Sequence, residues 1–163
     1  MQPTDLVRHD IAASNLLLGD SLFLSLGLPP GWELAPGVGR PEVIANHERG
    51  GKKWVASGRA WYVVFDAERR WAMELMLQVG ALSRRWNRAP VGEVTEVTVH
   101  GHPATVRWRE GRRGLFRRHT ITFLRVEFDC PVSERHLVVE FSGRCPREGF
   151  EEMLAAIPYL RCH

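Results

Sequence analysis

The chain has 163 residues with 44% hydrophobic and 25% charged side chains, a balance typical of a folded globular protein and of one α+β domain, residues 1–163. The formal net charge is only +3, so a general electrostatic attraction of the whole protein to nucleic acid is not implied. No apolar run is long enough for a membrane span, and 3 cysteines are too few for a secreted disulfide framework, so we expect a cytoplasmic protein without membrane contact.

The first 51 residues are predicted to form a helix, a strand and a loop. Thr4 is a typical helix N-cap and Asp5 suits the positive end of a helix, so we expect a short helix from Asp5 to Leu17. Leucines then alternate with other residues over residues 22–28, which is the spacing of a strand. The glycines and prolines between residues 35 and 51 predict mostly loop.

Further strands are predicted in the middle of the chain. Residues 54–65 are rich in aromatic and β-branched side chains, with a break near Ser57-Gly58. Every second residue from Trp71 to Val79 is large and apolar, which favours a strand although many of these residue types also suit a helix. A basic connector follows at residues 81–92.

The segment from Val94 to Gly143 carries the clearest pattern. Apolar residues alternate with polar ones, and short polar segments separate the alternating runs. This pattern predicts consecutive antiparallel strands at residues 94–99, 103–110, 119–128 and 136–141.

A helix is predicted after this sheet. Pro146 suits its first turn, and Phe150, Leu154 and Ile157 lie on one helical face. We therefore expect an α+β fold in which a single antiparallel sheet of about six strands is flanked by the N-terminal helix and by this C-terminal helix. The residues expected in one buried core are Val106, Trp108, Leu124, Val126, Val139, Phe150, Leu154 and Ile157.

Two short motifs carry a family resemblance. Leu-Pro-Pro-Gly-Trp-Glu at residues 28–33 precedes Val-His-Gly-His-Pro-Ala at residues 99–104, and a closing helix follows from Phe150. In this order of elements, which covers most of the chain, the sequence resembles the PsbP-like family of photosystem II extrinsic proteins and a Ran-binding nuclear import factor. The resemblance implies an antiparallel sheet flanked by helices. It implies no function, because a shared fold does not fix function.

Antiparallel strand order determines which loops share an end of the sheet. The turns at residues 100–103 and 130–135 share one end, and the C-terminal helix starts at the other end and returns the chain to the first. This end is predicted to gather thiols and imidazoles, the side chains that bind zinc. The candidate metal ligands are His100, His102, Cys130, His136, Cys162 and His163.

Two interpretations of this cluster stay open. In one, zinc is a cofactor of the protein. In the other there is no cofactor, and the cluster is a cysteine pair beside solvated loop histidines. The spacing matches no known zinc module, and Cys-x-x-Cys does not occur.

The same topology predicts which cysteines are neighbours. Cys130 and Cys145 flank a strand and should lie roughly 20 Å apart, which is beyond the reach of a disulfide. The returning helix should place Cys162 next to Cys130, so these two are the disulfide candidates.

A basic hairpin offers a second kind of site. Arginine binds phosphate bidentately, and the neighbouring aromatic residues Trp108 and Phe116 can stack on bases. Binding of RNA or another polyanion is therefore one hypothesis, and a solvated arginine-rich turn is the alternative. The arginines concerned are Arg107, Arg109, Arg112, Arg113, Arg117 and Arg118.

Catalysis finds little support in the sequence. There is no Gly-x-Ser-x-Gly nucleophile elbow and no phosphate-binding loop. Ser133, Glu134 and His136 lie too close together in one turn for the geometry of a catalytic triad. We therefore predict a non-catalytic protein that binds an unidentified protein or small ligand through its sheet face or loops, with polyanion binding and a metal-dependent role as the alternatives.

Overall fold

A computed structural model describes residues 5–15, 19–37, 42–49, 53–68, 70–82, 92–113 and 119–163. These residues contain ten strands, one α-helix and one 3₁₀ helix. The strands are β1 (Val7–Asn15), β2 (Gly19–Leu28), β3 (Trp32–Pro36), β4 (Glu42–Arg49), β5 (Lys53–Asp66), β6 (Ala72–Ala81), β7 (Glu93–Val99), β8 (His102–Arg113), β9 (His119–Cys130) and β10 (Arg135–Gly143). The helix α1 spans Arg147–Ala156, and the 3₁₀ helix Ile157–Tyr159 follows it directly.

The strands form two antiparallel sheets. The large sheet has the order β3-β5-β6-β10-β9-β8-β7, with β4 also paired to β5, and the small sheet consists of β1 and β2. The four strands predicted between residues 94 and 143 are consecutive neighbours in the large sheet, so that part of the prediction is confirmed.

The predicted fold class is wrong in two respects. The large sheet has eight strands instead of about six, and a separate two-stranded sheet accompanies it. No helix lies at the N-terminal side of the described residues, because Val7–Asn15 is strand β1. A helical face beginning at Leu6 would have continued through His9 and Asp10, which are polar. They pair instead with β2, in an antiparallel ladder that has a register shift between Ile11 and Ala12.

Strand β4 is a second departure from prediction. The glycines and prolines that predicted a loop over residues 35–51 lie on both sides of Glu42–Arg49. They mark the ends of a hairpin strand, and β4 pairs antiparallel with β5.

Helix α1 covers one face of the large sheet, which we call the inner face. Its Phe150 ring meets the Trp108 ring of β8 in a T-shaped contact with the centroids 6.3 Å apart. All the predicted core residues are buried except Leu154, which is partly buried against the core. Residues of the small sheet, such as Phe23 and Leu26, belong to the same hydrophobic cluster.

Alternation along the strands separates the inner face from the opposite, outer face. In β9 the even-numbered residues from Leu124 to Cys130 are buried on the inner face, and the odd-numbered Phe123, Arg125 and Glu127 belong to the outer face. Among the described residues, no helix is long and apolar enough to cross a membrane.

Candidate metal centre

A tight turn between β7 and β8 places His102 at one end of the large sheet. His100 and Gly101 have φ values of 48° and 81°, the positive values that a two-residue type I′ turn requires at both positions. His102 therefore begins β8 without an intervening loop. Cys130 is the last residue of β9. The register of β8 with β9 begins two residues further in, at Ala104 opposite Phe128, and strand alternation puts His102 and Cys130 on the same inner face, with their side chains 3.8 Å apart.

The C-terminal segment brings the other two ligands to this end. After α1 and the 3₁₀ helix, Arg161 forms an isolated antiparallel bridge with Ser25 of β2. The amide nitrogen of each residue donates to the carbonyl oxygen of the other, at 2.8 and 2.9 Å. This bridge fixes the backbone just before Cys162 and His163, which then face the ends of β8 and β9.

Four potential ligand atoms meet at this point. They belong to His102, Cys130, Cys162 and His163 and all lie within 4.8 Å of one another. His163 Nδ1 lies 3.4 Å from both Sγ atoms, and His102 Nε2 lies 3.8 Å from Cys130 Sγ. In a tetrahedral zinc site, bonds of ~2.3 Å to sulfur and ~2.0–2.1 Å to nitrogen put sulfur and nitrogen ligands roughly 3.5 Å apart. The sulfur–nitrogen separations therefore fit a shared metal ion.

The two sulfur atoms are closer than the rest of the cluster. Cys130 and Cys162 are both buried, their thiols are free, and their Sγ atoms lie 2.7 Å apart with Cys162 as the donor. Burial raises the pKa of the Cys162 thiol to about 12, and its hydrogen bond to Cys130 adds to the rise. Burial also raises the pKa of Cys130, but hydrogen bonds from Cys162, Ser133 and His163 outweigh it and leave a net lowering. Within the pair, Cys130 is therefore the more acidic thiol.

His100 lies beside the four ligands. Its ring stacks on His163 with the centroids 4.2 Å apart, and its Nδ1 accepts a hydrogen bond from the backbone N–H of Cys162 at 3.3 Å. Burial lowers the pKa of His100, and the neighbouring His163 and His102 lower it further. His100 therefore holds the backbone of Cys162 and the ring of His163 in place, as residues just outside a metal's ligands commonly do.

His136 does not join the cluster. It pairs with Asp129 across β9 and β10 and therefore lies on the outer face, one strand position away from Cys130. Its Nδ1 lies 2.6 Å from Asp129 Oδ1 and its Nε2 lies 2.9 Å from Glu127 Oε1. Since both ring nitrogens are occupied by carboxylates, the prediction of His136 as a metal ligand has no geometric support.

The two carboxylates also raise the pKa of the His136 imidazole. Its hydrogen bond with Glu127 raises the pKa of the imidazole, burial opposes this rise, and Asp129 adds to it. The pKa of Glu127 is lowered, first by the same hydrogen bond and then by Arg125, against the opposing effect of burial. This outer-face network of Glu127, Asp129 and His136 was missed in the sequence, although the inward alternation of Leu137 and Val139 already implied that His136 points outward.

Four arginines of the predicted polyanion site, Arg107, Arg109, Arg112 and Arg113, belong to β8. Arg107 and Arg109 belong to the outer face of the sheet, and the Arg109 guanidinium lies 4.1 Å above the centre of the Phe123 ring. Arg109 and the exposed Arg112 border a cavity of about 640 Å³ on this face. Arg113 is the last residue of β8, and its side chain lies outside the described part of the structure, as do Arg117 and Arg118 entirely.

A groove opens next to the cysteine pair. Its volume is about 410 Å³, and Cys162 and His163 form part of its wall together with Ser133 and Arg161.

The third cysteine, Cys145, is buried near the start of α1, beyond the opposite end of β10. Burial raises the pKa of the Cys145 thiol to about 11, and the charges of Asp66, Glu152 and Glu148 add to the rise.

No protein-family model, curated protein or solved structure matches the chain. Nothing in these comparisons bears on the resemblance to the PsbP-like family, which stays a prediction. The geometry of the chain's own residues is therefore what a functional proposal can use.

Proposed function

We propose that the protein binds one zinc ion through His102, Cys130, Cys162 and His163. The observation that carries the proposal is the convergence of two thiols and two imidazoles from separate parts of the chain, with all four ligand atoms within 4.8 Å. Two sulfur and two nitrogen donors in a compact group form the ligand set of structural zinc sites.

The proposed site is closed, and this supports a binding or structural role over catalysis. A catalytic zinc keeps one coordination position for water or substrate, whereas here four protein atoms would take all four positions. The ligands come from β8, β9 and the segment after the 3₁₀ helix, so the ion would fasten the C-terminal segment to the end of the large sheet. A cytoplasmic location is part of the proposal, because thiols stay reduced there and available to a metal.

Zinc content and affinity of the reduced protein test the proposal. Protein purified without added metal and then titrated with zinc against a chromogenic chelator is expected to bind one equivalent. Cys130→Ser and Cys162→Ser each remove a ligand and should weaken binding by more than about 100-fold, since even outer-shell changes cost about 10–100-fold.

Two variants provide matched controls. Cys145→Ser removes a buried thiol of the same chain, and His136→Asn removes an imidazole at the same end of the sheet. Both should retain wild-type zinc affinity because neither residue belongs to the four-ligand group. Less than a tenth of an equivalent of zinc on the reduced wild-type protein would sink the proposal, as would equal losses in the ligand and control variants.

Polyanion binding through the arginines remains the alternative hypothesis for function. Alanine substitution of Arg112 and Arg113 together with Arg117 and Arg118 would test it by retention on immobilised heparin. Unchanged retention would count against it.

A further inference from the structure

The spacing of the two sulfur atoms lies between two incompatible bonding states. A disulfide bond is ~2.05 Å long, so Cys130 and Cys162, at 2.7 Å, need a small approach to form one. Two thiolates on a tetrahedral zinc are roughly 3.8 Å apart, given zinc–sulfur bonds of ~2.3 Å, so metal binding needs a small separation. The disulfide and the zinc-bound pair each need only a small movement of the two side chains. Because they require different distances between the sulfur atoms, the pair can adopt only one of these states at a time.

We propose that the Cys130–Cys162 pair is a reversible oxidation site at which a hydroperoxide converts the zinc-bound thiolates into a disulfide and releases the metal. This inference rests on the proposed zinc function and adds its regulation. The backbone supports both states, because Cys130 ends a strand of the large sheet and Cys162 follows the bridge between Arg161 and Ser25. The end of β9 and the Arg161–Ser25 bridge need to move only slightly for the sulfur atoms to bond or to separate.

The proposed reaction balances with hydrogen peroxide as the oxidant. Both sulfur atoms are thiolates once they bind zinc, because metal binding displaces their protons. The thiolate sulfur of Cys162 attacks one peroxide oxygen, the O–O bond breaks, and hydroxide leaves, which gives a sulfenic acid on Cys162. The thiolate of Cys130 then attacks that sulfur and expels a second hydroxide as the S–S bond forms. Two electrons pass from the sulfur pair to peroxide, two protons convert the hydroxides to water, and the zinc ion loses two of its four ligands.

The structure also gives the oxidant a route to the sulfur atoms. Cys130 is 0% exposed and Cys162 is 3% exposed, but Cys162 lines the groove of about 410 Å³ and His163 beside it is exposed. A molecule of the size of hydrogen peroxide can therefore approach Cys162 from the groove, which is why Cys162 is assigned the first attack. Cys145 lines a separate cavity near α1 and has no second thiol beside it among the described residues.

Peroxide titration of the zinc-loaded protein tests this inference. One equivalent of hydrogen peroxide is expected to release one equivalent of zinc to a chromogenic chelator and to remove two free thiols. The intact mass should fall by about 2 Da relative to the reduced apoprotein, and peptide mapping should join Cys130 to Cys162. Dithiothreitol should restore both the thiols and zinc binding. Cys145→Ser should behave as wild type.

The outcomes separate this inference from the proposed function. A reduced protein that holds no zinc overturns both before any peroxide is added. Retention of zinc after peroxide, or its release with sulfinic acid or with a bridge to Cys145, overturns the redox inference and leaves the zinc site standing. His102→Ala keeps both sulfur atoms while removing a metal ligand, so it should still form the disulfide with peroxide although it no longer holds zinc tightly.

Discussion

Asp129 and Cys130 are adjacent in the sequence, yet they belong to two groups of opposite chemistry on the two faces of one sheet. On the outer face, His136 lies between the carboxylates of Asp129 and Glu127, and each ring nitrogen already has a charged partner. On the inner face, Cys130 meets Cys162 and two histidines, and the four possible ligand atoms lie within 4.8 Å of one another. The first group is satisfied by its own members, whereas the second is the group through which we propose that the protein binds zinc.

The difference shows how strongly strand alternation decides chemistry. Both groups contain imidazoles at the same end of the sheet, and their strand positions differ by one residue. A shift of one residue moves a side chain to the other face. The outer-face histidine is therefore paired with carboxylates, which raise the pKa of its imidazole, while the inner-face histidines lie beside thiols.

The largest expected effect separates the two groups by their response to zinc. At a free zinc concentration of 1,000 times its Kd, the ion should raise the free energy of unfolding of the reduced protein by about 4 kcal/mol. His102→Ala should remove most of this gain, whereas His136→Ala should keep it. Urea unfolding with and without zinc, in a thiol reductant, measures both values. Equal zinc responses in the two variants would contradict the assignment of these histidines to different groups.

A smaller effect is expected when the outer-face group is broken in the absence of metal. His136→Ala removes one hydrogen-bond donor from the partly buried Glu127 carboxylate and leaves Arg125, 3.5 Å away, as its remaining partner. A hydrogen bond to a charged group is worth about 1.5–3 kcal/mol, and the remaining Arg125 places the expected loss at the lower end of this range. Urea unfolding at pH 6 in the presence of a metal chelator measures the loss, and a variant as stable as wild type would show that the network contributes nothing.

The pH dependence of that loss sharpens the comparison. Because the folded-state pKa of His136 is raised, its contribution to stability is fully present below its unfolded pKa and is lost as the pH rises through the raised value. The pKa of Glu127 is lowered, so its contribution is present above its unfolded pKa and is lost as the pH falls through the lowered value. The destabilisation by His136→Ala should therefore be larger at pH 6 than at pH 9. A loss that is the same at both pH values would rule out the charged pair.

The smallest effect is expected at the exposed member of the outer-face group. The side chain of Asp129 is 53% exposed, compared with 20% for Glu127, so solvent screens its pairing with His136. Asp129→Asn should cost under about 1 kcal/mol, the range measured for exposed ion pairs. The matched variant Glu127→Gln should cost more in the same unfolding experiment, and the reverse order would show that burial does not set the strength of these pairs.

The end of the sheet where the cysteines and histidines meet was predictable, because it depends only on strand order and helix direction. The face on which each residue lies also followed from the sequence, since Leu137 and Val139 alternate with His136. The N-terminal strand did not, because Val7–Asn15 has a weak local pattern and is stabilised by pairing with β2, a contact that local propensity does not encode. The exact meeting of Cys162 with Cys130 further depends on the bridge to Ser25, which has no sequence signature.

That bridge has a consequence for the order in which parts of the molecule open. Arg161 and Ser25 share two backbone hydrogen bonds, so the small sheet and the C-terminal segment can separate only if both bonds break. Any event that immobilises Cys162 also holds Ser25 and its partner Asp10 in β1. Amide hydrogen exchange in the β1–β2 hairpin should therefore slow when Cys130 and Cys162 bind zinc or form a disulfide. The hairpin and the C-terminal segment would then open as one cooperative unit.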